Sequence, residues 1–394
     1  MRLLILSFYY RPDLCAGSFR ATALVDALRA RAPAGTQIDV VTTLPNRYRS
    51  FAPEARQIET LDGCEIFRVR LPPHQSSMLG QSHAFGHFAL GAVRHVAGRR
   101  YDLVCATSSR LMTAALGAWI ARRKRARLYL DIRDIFVDTL PQLLPPPLSM
   151  AAHAVLSRVE AWTVKRADRV NLVSPPFAEY YRERYGELPF ALFTNGIDEE
   201  FQEPAPAPAP RVGVPTILYA GNIGAGQGLH EILPQLAVAL RGRARFLVIG
   251  DGGRRGALTA ALAQAGVDNV ELRPPMSRQR LIEVYRSADV LFLHLGRHPA
   301  FEKVLPSKLF EYGALGKPLL AGVAGFAAQF IHDEIDNAAV FPPGDATAAT
   351  QAFRSLRLSD HPRPEFVAKY ARSRIVRDMA DDILSVAGGA ASTM

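Results

Sequence analysis

Strand-like and helix-like segments alternate along almost the whole chain, and this alternation constrains the fold more than any other feature. Short apolar runs at residues 3–8, 38–43 and 103–106 are each followed by a turn and then by apolar residues at helical spacing. A chain that alternates in this way builds parallel, doubly wound sheets with helices on both faces. Its 394 residues suit two such α/β domains better than one.

A run of alternating proline and alanine at residues 203–210 divides the chain near its middle. Such a run forms neither a helix nor a sheet interior, so it predicts an extended spacer at the surface. We therefore expect one domain at residues 1–200 and a second at residues 211–365. Residues 366–387 have one long helical pattern.

Charge is spread unevenly over the two halves. Residues 1–200 contain 26 Lys and Arg against 19 Asp and Glu, so they account for +7 of the net charge of +10. Five of these cations lie at residues 122–127, directly after an apolar helical segment. This pattern is typical of a surface that meets anionic lipid headgroups, and a solvated basic surface is the alternative. We predict no nucleic-acid binding, because no motif of that kind appears.

The cysteines and the lengths of the apolar runs indicate the cellular compartment of the protein. Cys15, Cys64 and Cys105 are widely separated and lack metal-binding spacing, as expected for reduced thiols in the cytoplasm. No apolar run approaches the length of a membrane span. The sequence therefore predicts a cytoplasmic protein that is peripheral on the inner face of the membrane.

The segment at residues 304–318 carries the clearest chemistry. Pro306 suits the first turn of a helix that opens at Leu305, which would place Ser307 and Lys308 where helix N–H groups favour an anion. Glu311 follows Lys308 by three residues, so both lie on one face. The pattern is typical of a phosphate contact beside a carboxylate for sugar hydroxyls. A surface helix with one ion pair is the alternative reading.

Two further segments have the order strand, glycine-rich loop and helix start, at residues 217–229 and 246–253. Loops after parallel strands converge on one edge of the sheet, where ligands bind. With the Pro-Ser-Lys segment they resemble the C-terminal half of a retaining glycosyltransferase of family 4. The likeness is strongest to the bacterial branch that builds surface polysaccharide, which has a Gly-Asn-Ile-Gly…Gln-Gly loop and a Pro-Ser-Lys helix.

This resemblance implies a GT-B fold, in which two Rossmann-like doubly wound parallel-sheet domains face a central cleft. The first domain would bind the acceptor and the second the nucleotide-sugar, and the last helix would pack back on the first domain. The implied activity is transfer of a hexosyl or N-acetylaminosugar group to a polyprenyl-diphosphate-linked saccharide, with retention of configuration. A UDP-sugar epimerase of the same fold and a non-catalytic nucleotide-binding protein at the membrane remain alternatives.

The resemblance also assigns roles to residues. Glu311 would bind the donor ribose, while Lys308 would stabilise the leaving diphosphate. Arg20 and Arg133 would add positive charge from the first domain, with an ion pair to Asp131 or Asp134 as the alternative for Arg133. The implied donor and phosphate contacts come from Gly17, Arg20, Gly221, Asn222, Gln227, Gly228, Gly250, Pro274, Pro306, Ser307 and Leu309.

The chain departs from the family pattern at three positions. Lys303 stands where the first of two glutamates is usual, and Asn222 and Gln227 replace the arginine and lysine of the usual diphosphate clamp. Because these two loop residues are neutral, more of the charge stabilisation should come from Lys308.

Residues 72–91 are the least regular part of the first domain, and we expect a loop on the acceptor side there. His83, Phe85 and His87 are its candidate contact residues, with membrane contact through Phe85, Phe88 and Leu90. His83 and His87 have the i,i+4 spacing of two zinc ligands, but no third ligand is near in sequence. No Asp-x-Asp triplet occurs, so we predict that no metal and no cofactor beyond the donor, a UDP- or GDP-sugar, is needed.

Overall fold

The structure is a computed structural model. It describes residues 1–47, 53–72, 78–108, 110–135, 137–138, 148–202 and 213–389. The predicted spacer at residues 203–210 lies outside the described residues. The contacts divide the chain into two compact units. Apart from its undescribed stretches, the first unit comprises Met1–Arg47, Ala52–Thr194 and Ser373–Met394, and the second comprises Asn195–Arg372.

Each unit is built around one largely parallel sheet. The strands of the first are β1 (Arg2–Ser7), β2 (Gln37–Thr43), β3 (Ile58–Leu61), β4 (Cys64–Val69), β5 (Leu103–Ser108), β6 (Arg127–Ile132), β7 (Arg169–Leu172) and β8 (Phe190–Leu192). Those of the second are β9 (Thr216–Asn222), β10 (Arg245–Asp251), β11 (Val270–Arg273), β12 (Val290–His294), β13 (Leu319–Gly322) and β14 (Ala338–Phe341).

The helices that connect these strands are α1 (Ala16–Arg31), α2 (Met78–Val96), α3 (Leu111–Lys124), α4 (Leu148–Val164), α5 (Pro176–Tyr185), α6 (Leu229–Ala239), α7 (Arg255–Gln264), α8 (Arg278–Ser287), α9 (Lys308–Ala314), α10 (Gly325–Glu334), α11 (Ala346–Ser355), α12 (Pro364–Lys369) and α13 (Arg372–Gly388).

The strand orders place one reversal in each sheet. The first sheet has the order β3-β4-β2-β1-β5-β6-β7-β8, and the second has β11-β10-β9-β12-β13-β14. Among the described pairings, β3 with β4 is antiparallel and the others are parallel. This confirms the predicted class of two parallel α/β sheets. The order reverses between β1 and β5 and between β9 and β12, which are the points where such sheets open a crevice for ligands.

Central strands are buried on both faces, as the apolar runs require. Leu3 to Leu6 of β1 have no exposed surface. Burying each such side chain contributes about 1.5–3 kcal/mol. Helix α13 packs on this core of the first unit through Met379, Ala380 and Ile383, which share one helical face.

Three expectations about local structure were wrong. Most of residues 72–91, where we expected an irregular loop, belongs to helix α2 (Met78–Val96), in spite of Gly80, Gly86 and Gly91. The pattern at residues 366–387 forms two helices, because the backbone at residues 370–372 leaves the helical ladder. Instead, the N–H of Ile197 donates to the Tyr370 carbonyl at 2.8 Å and Arg372 donates back to Ile197 at 2.9 Å. Pro306 precedes its helix, which begins at Lys308.

Candidate functional site

The crevice at the reversal of the second sheet brings together most of the predicted donor residues. Gly221 and Asn222 end β9, next to β12, and the loop to α6 begins there. A Cβ atom placed on Gly221 would lie 3.1 Å from Cε of Lys308, so α9 begins directly beside the end of β9. The sequence could predict this meeting, since loops after neighbouring strands share an edge.

Lys308 is held by its surroundings. Its Nζ donates to the Tyr285 hydroxyl at 2.9 Å and lies 5.6 Å and 5.8 Å from the ring centroids of Tyr285 and Tyr312. Burial raises the pKa of both tyrosines well above its usual value, so their hydroxyls are neutral. On that side the ammonium is therefore oriented by a neutral hydroxyl and by two aromatic rings.

Glu311 lies between two cations. Its Oε2 is 3.4 Å from Lys308 Nζ, and its Oε1 is 3.7 Å from a guanidinium nitrogen of Arg278. Arg278 is in turn bound by Asp198 at 2.5 Å and by Glu200 at 3.2 Å. The Glu311 side chain is only 12% exposed, so this carboxylate is fixed in place by paired charge rather than free in solvent.

The side chains of Asn222 and Gln227, which the sequence predicts as donor contacts, are hydrogen-bonded within the glycine-rich loop. The Asn222 amide donates to Gln227 Oε1 at 2.9 Å, and the N–H of Gly224 donates to the same oxygen at 3.2 Å. These side chains therefore shape the loop and have part of their hydrogen-bonding capacity already used. Gly228 completes the loop at φ 59°, a left-handed conformation that favours glycine.

His294, which sequence analysis did not single out, fastens this loop to the sheet. It is 1% exposed at the end of β12, with Nδ1 2.6 Å from the Gln227 carbonyl and Nε2 2.9 Å from the N–H of Gly344. These partners assign the neutral tautomer with the proton on Nδ1. Burial lowers the pKa of the imidazole, in agreement with that assignment. Its position at a strand end was the only signal in the sequence.

Other predicted donor residues divide into those at the crevice edge and one in the core. Gly250 pairs with Gly221 so closely that a Cβ on it would lie 1.9 Å from the Gly221 carbonyl oxygen. Pro274 follows the end of β11 and is exposed. Leu309 is fully buried and its N–H donates to the Pro306 carbonyl at 3.1 Å. Its side chain and its N–H are therefore both engaged inside the second unit. Ser307 is the N-cap residue of α9, a helix of seven residues.

The first unit brings Gly17 and Arg133 together. A Cβ on Gly17 would lie 2.8 Å from Nη1 of Arg133, so the glycine leaves space for the guanidinium at the carboxyl edge of the sheet. Asp134 is next to it, and burial raises the pKa of this carboxyl to about 6. The structure thus places two of the predicted residues side by side, after β1 and after β6.

Arg20 lies in the core of the first unit, and the phosphate contact that the sequence predicts for it stays a prediction. It is 1% exposed and forms a two-point ion pair with Asp131, which has no exposed surface, at 3.0 Å and 2.9 Å. It also donates to the carbonyls of Thr194 at 2.7 Å and Phe193 at 2.8 Å. Burial alone would raise the pKa of Asp131, but the Arg20 charge and hydrogen bonds outweigh it and lower the pKa. The pair is structural.

The acceptor-side candidates lie on α2. His83 and His87 are exposed, with ring centroids 4.7 Å apart, and Phe85 is half-buried. Phe88 is fully buried against Phe8 and so is a core residue rather than a membrane contact. Within the described parts of the chain, no three His, Cys, Asp or Glu side chains are grouped to hold a metal ion.

Comparison with known proteins identifies the relatives of this arrangement. The family description "Glycosyl transferase 4-like domain" matches residues 20–196, and "Glycosyl transferases group 1" matches residues 201–374. WcaI of Escherichia coli K12, named as a colanic acid biosynthesis glycosyl transferase, is 25% identical over 341 residues, which cover 80% of this chain and 82% of WcaI.

Solved structures share the fold. WaaG, described as a glycosyltransferase involved in lipopolysaccharide biosynthesis, matches with a TM-score of 0.64 at 15% identity, over 98% of this chain and 97% of its own. HepE from Anabaena, solved in complex with UDP, matches with a TM-score of 0.63 at 14% identity, over 98% of this chain and all of its own. The two units therefore form the two α/β domains of a GT-B fold.

Proposed function

We propose that this chain, a glycosyltransferase of the GT-B type, moves a sugar from a nucleotide-sugar to a lipid-linked saccharide in surface polysaccharide synthesis. We further propose that it belongs to the retaining family 4 and preserves the anomeric configuration. The names of WcaI and WaaG, which refer to colanic acid and lipopolysaccharide, support the product class. The acceptor would bind to the first unit and the donor to the second.

One arrangement carries this proposal: Lys308 and Glu311 lie together at the reversal point of the second sheet, beside Gly221. A nucleoside diphosphate needs a cation for its phosphates and an acceptor for its ribose hydroxyls. Lys308 supplies the first and Glu311 the second, within one helical turn. Arg278 and His294 act as positioning residues, the former on Glu311 and the latter on the glycine-rich loop.

The leaving nucleoside diphosphate gains negative charge as the sugar bond breaks, and stabilising that charge lowers the barrier. The loop side chains Asn222 and Gln227 are neutral and bound to each other. Lys308 therefore carries this task in the second unit, with the diphosphate oxygens displacing part of its contact to Glu311. Neither a metal nor a further cofactor is part of the proposal.

The exposed side chains of α3 and α4 in the first unit favour peripheral binding to a membrane. Within the described residues, no helix combines the length and apolar character needed to span a bilayer. Helix α3 exposes Met112 and Trp119, while α4, which packs beside it, exposes Met150 and Val155. Arg123 of the basic cluster at residues 122–127 shares this face, since its guanidinium carbon lies 5.5 Å from the Trp119 ring centroid. Tryptophan with arginine favours the interface of an anionic leaflet, so we propose peripheral binding at its cytoplasmic side.

Release of UDP or GDP from a panel of nucleotide-sugars, with and without a membrane lipid extract that supplies lipid-linked saccharides, tests the function. We expect one donor to release its nucleotide, faster with extract, and equally well in the presence of EDTA. Conversion of the donor to its epimer without release would instead identify an epimerase. Nucleotide binding without any turnover would identify a binding protein.

A further inference from the structure

Three arginines of the first unit converge on one tyrosine at the carboxyl edge of its sheet. Arg47 follows β2, Arg110 follows β5 and Arg133 follows β6, while Tyr9 follows β1. The guanidinium carbons of Arg47 and Arg110 lie 5.8 Å and 6.0 Å from the Tyr9 ring centroid. The Tyr9 hydroxyl accepts a hydrogen bond from Arg110 at 3.2 Å.

Arg133 and Tyr9 both lie beside Gly17. A Cβ atom on Gly17 would lie 2.8 Å from Nη1 of Arg133 and 3.9 Å from Cδ2 of Tyr9. Four strand ends thus contribute to one cluster, which we call the arginine cluster (Tyr9, Arg47, Arg110 and Arg133). It lies at the reversal between β1 and β5, where a doubly wound sheet binds its ligand.

Arg110 stacks on a packed group of phenylalanine rings. The Arg110 guanidinium lies 4.3 Å from the ring centroid of Phe8, which is fully buried. Phe8 in turn packs on Phe88 and Phe85 of α2, with centroid distances of 5.2 Å and 6.4 Å. Stacking engages the face of a guanidinium, so that in-plane N–H groups other than the one donated to Tyr9 can reach an oxyanion, the geometry that binds phosphate with two bonds.

The three arginines of the arginine cluster outnumber the two buried carboxyls, Asp13 and Asp134, on which Arg47 and Arg133 act. Asp13 is 3% exposed and its Oδ1 accepts the N–H groups of Asn46 at 3.1 Å and Arg47 at 3.0 Å. Asp134 Oδ1 accepts the N–H of Ile135 at 3.0 Å. Burial raises the pKa of each carboxyl to about 6, and the charge of Arg47 on Asp13 and of Arg133 on Asp134 opposes that rise. A further carboxylate, Asp131, is paired with Arg20.

We propose that Arg47, Arg110 and Arg133 bind a phosphate or diphosphate group carried by the acceptor. A neutral saccharide would not need three guanidinium groups around one aromatic platform, whereas a dianion does. The inference rests on the proposed function, since it assigns the acceptor to the first unit and the donor diphosphate to Lys308 of the second. It narrows the acceptor class to saccharides that bear phosphate near the reacting sugar.

Calorimetric titration of the full chain with inorganic pyrophosphate, at saturating UDP, tests the arginine cluster apart from the donor site. Arg110→Gln and Arg47→Gln should each weaken pyrophosphate binding about ten-fold or more, the usual effect of losing a charged hydrogen bond. The pyrophosphate affinity of Arg110→Lys should lie between those of the wild type and Arg110→Gln, because lysine keeps the charge but not the planar guanidinium. The matched control is Arg94→Gln, an exposed arginine on α2, which should bind like the wild type.

Each outcome separates this inference from the function on which it rests. If the pyrophosphate affinity of both variants equals that of the wild type, the arginine cluster is not a phosphate site, whether or not donors are hydrolysed. If both variants lose UDP affinity as strongly as pyrophosphate affinity, the arginines serve the donor and the acceptor assignment is wrong. If the variants lose only pyrophosphate binding while the wild type releases no UDP or GDP from any donor, the arginine cluster stands and the proposed transferase function falls. Arg110→Lys also covers the case in which a glutamine variant fails to fold.

Discussion

Replacing Arg20 by methionine should destabilise the first unit rather than disable a formed site. The Arg20–Asp131 pair is buried, at 1% and 0% side-chain exposure, and Asn171 donates to the same carboxylate at 2.7 Å. Without Arg20, the charge of Asp131 would remain in the core with only the Asn171 amide as a described side-chain donor. Breaking such a pair costs about 3–5 kcal/mol. That is a large part of the 5–15 kcal/mol that holds a typical domain together.

The double variant Arg20→Met with Asp131→Leu should recover much of this loss, because apolar replacement of both partners removes the buried charge. The carbonyls of Phe193 and Thr194 would still lose their donor, at a cost of about 1–3 kcal/mol, so recovery should be partial.

Urea unfolding followed by tryptophan fluorescence measures this directly, since Trp119 and Trp162 both belong to the first unit. Arg29→Met, on the same helix but exposed, is the matched control and should cost less than about 1 kcal/mol. If Arg20→Met unfolds at the same urea concentration as the wild type and yet loses turnover, Arg20 acts in the site and the structural assignment is wrong.

Three more outcomes follow from the described contacts. His294→Phe should keep the fold but weaken nucleotide binding by calorimetry, because the carbonyl of Gln227 and the N–H of Gly344 lose their partner; equal affinity would contradict this role. Asp13 has its pKa raised from 3.8 to about 6, so its folded form gains protons and stability as pH falls. The free energy of unfolding of the wild type, measured in urea and compared with that of Asp13→Asn, should therefore rise by about 1.4 kcal/mol from pH 7.5 to pH 5. An unchanged difference between the two proteins would refute the raised pKa. The fraction of protein that sediments with anionic vesicles should fall as salt is added, and it should fall for Trp119→Ser. Equal binding to neutral vesicles would contradict the electrostatic part of the proposed membrane binding.

The sequence predicted the sheets well because their strands are buried on both faces and read as continuous apolar runs. The strands at the sheet edges were harder to predict from the sequence. β3, β11 and β14 are four residues each and only partly buried, so their composition does not distinguish them from loops. Helix α2 was missed since its glycines and histidines have poor helix propensity, which its packing on β2 and β4 overrides.

The site was predictable where its chemistry is local and not where it depends on contacts between distant segments. Lys308 and Glu311 are three residues apart, so one helical turn fixes their meeting. By contrast, Arg20 lies on the buried face of α1, and no residue near it in the sequence indicates that its partner is the buried Asp131. The arginine cluster escaped detection for the same reason, because Arg47 and Arg110 come from different strand ends.

Turnover and donor binding of Lys308→Ala and Glu311→Ala test the central claim, that this pair holds the nucleotide-sugar. Glu311→Ala should weaken donor binding by about 1.5–3 kcal/mol in calorimetry, as for a lost charged hydrogen bond. Lys308→Ala should lower kcat and kcat/KM together, because its charge acts most on the leaving diphosphate. Exposed Lys165→Ala, in the first unit, is the control. Near-full turnover of Lys308→Ala together with unchanged donor affinity of Glu311→Ala would contradict the account.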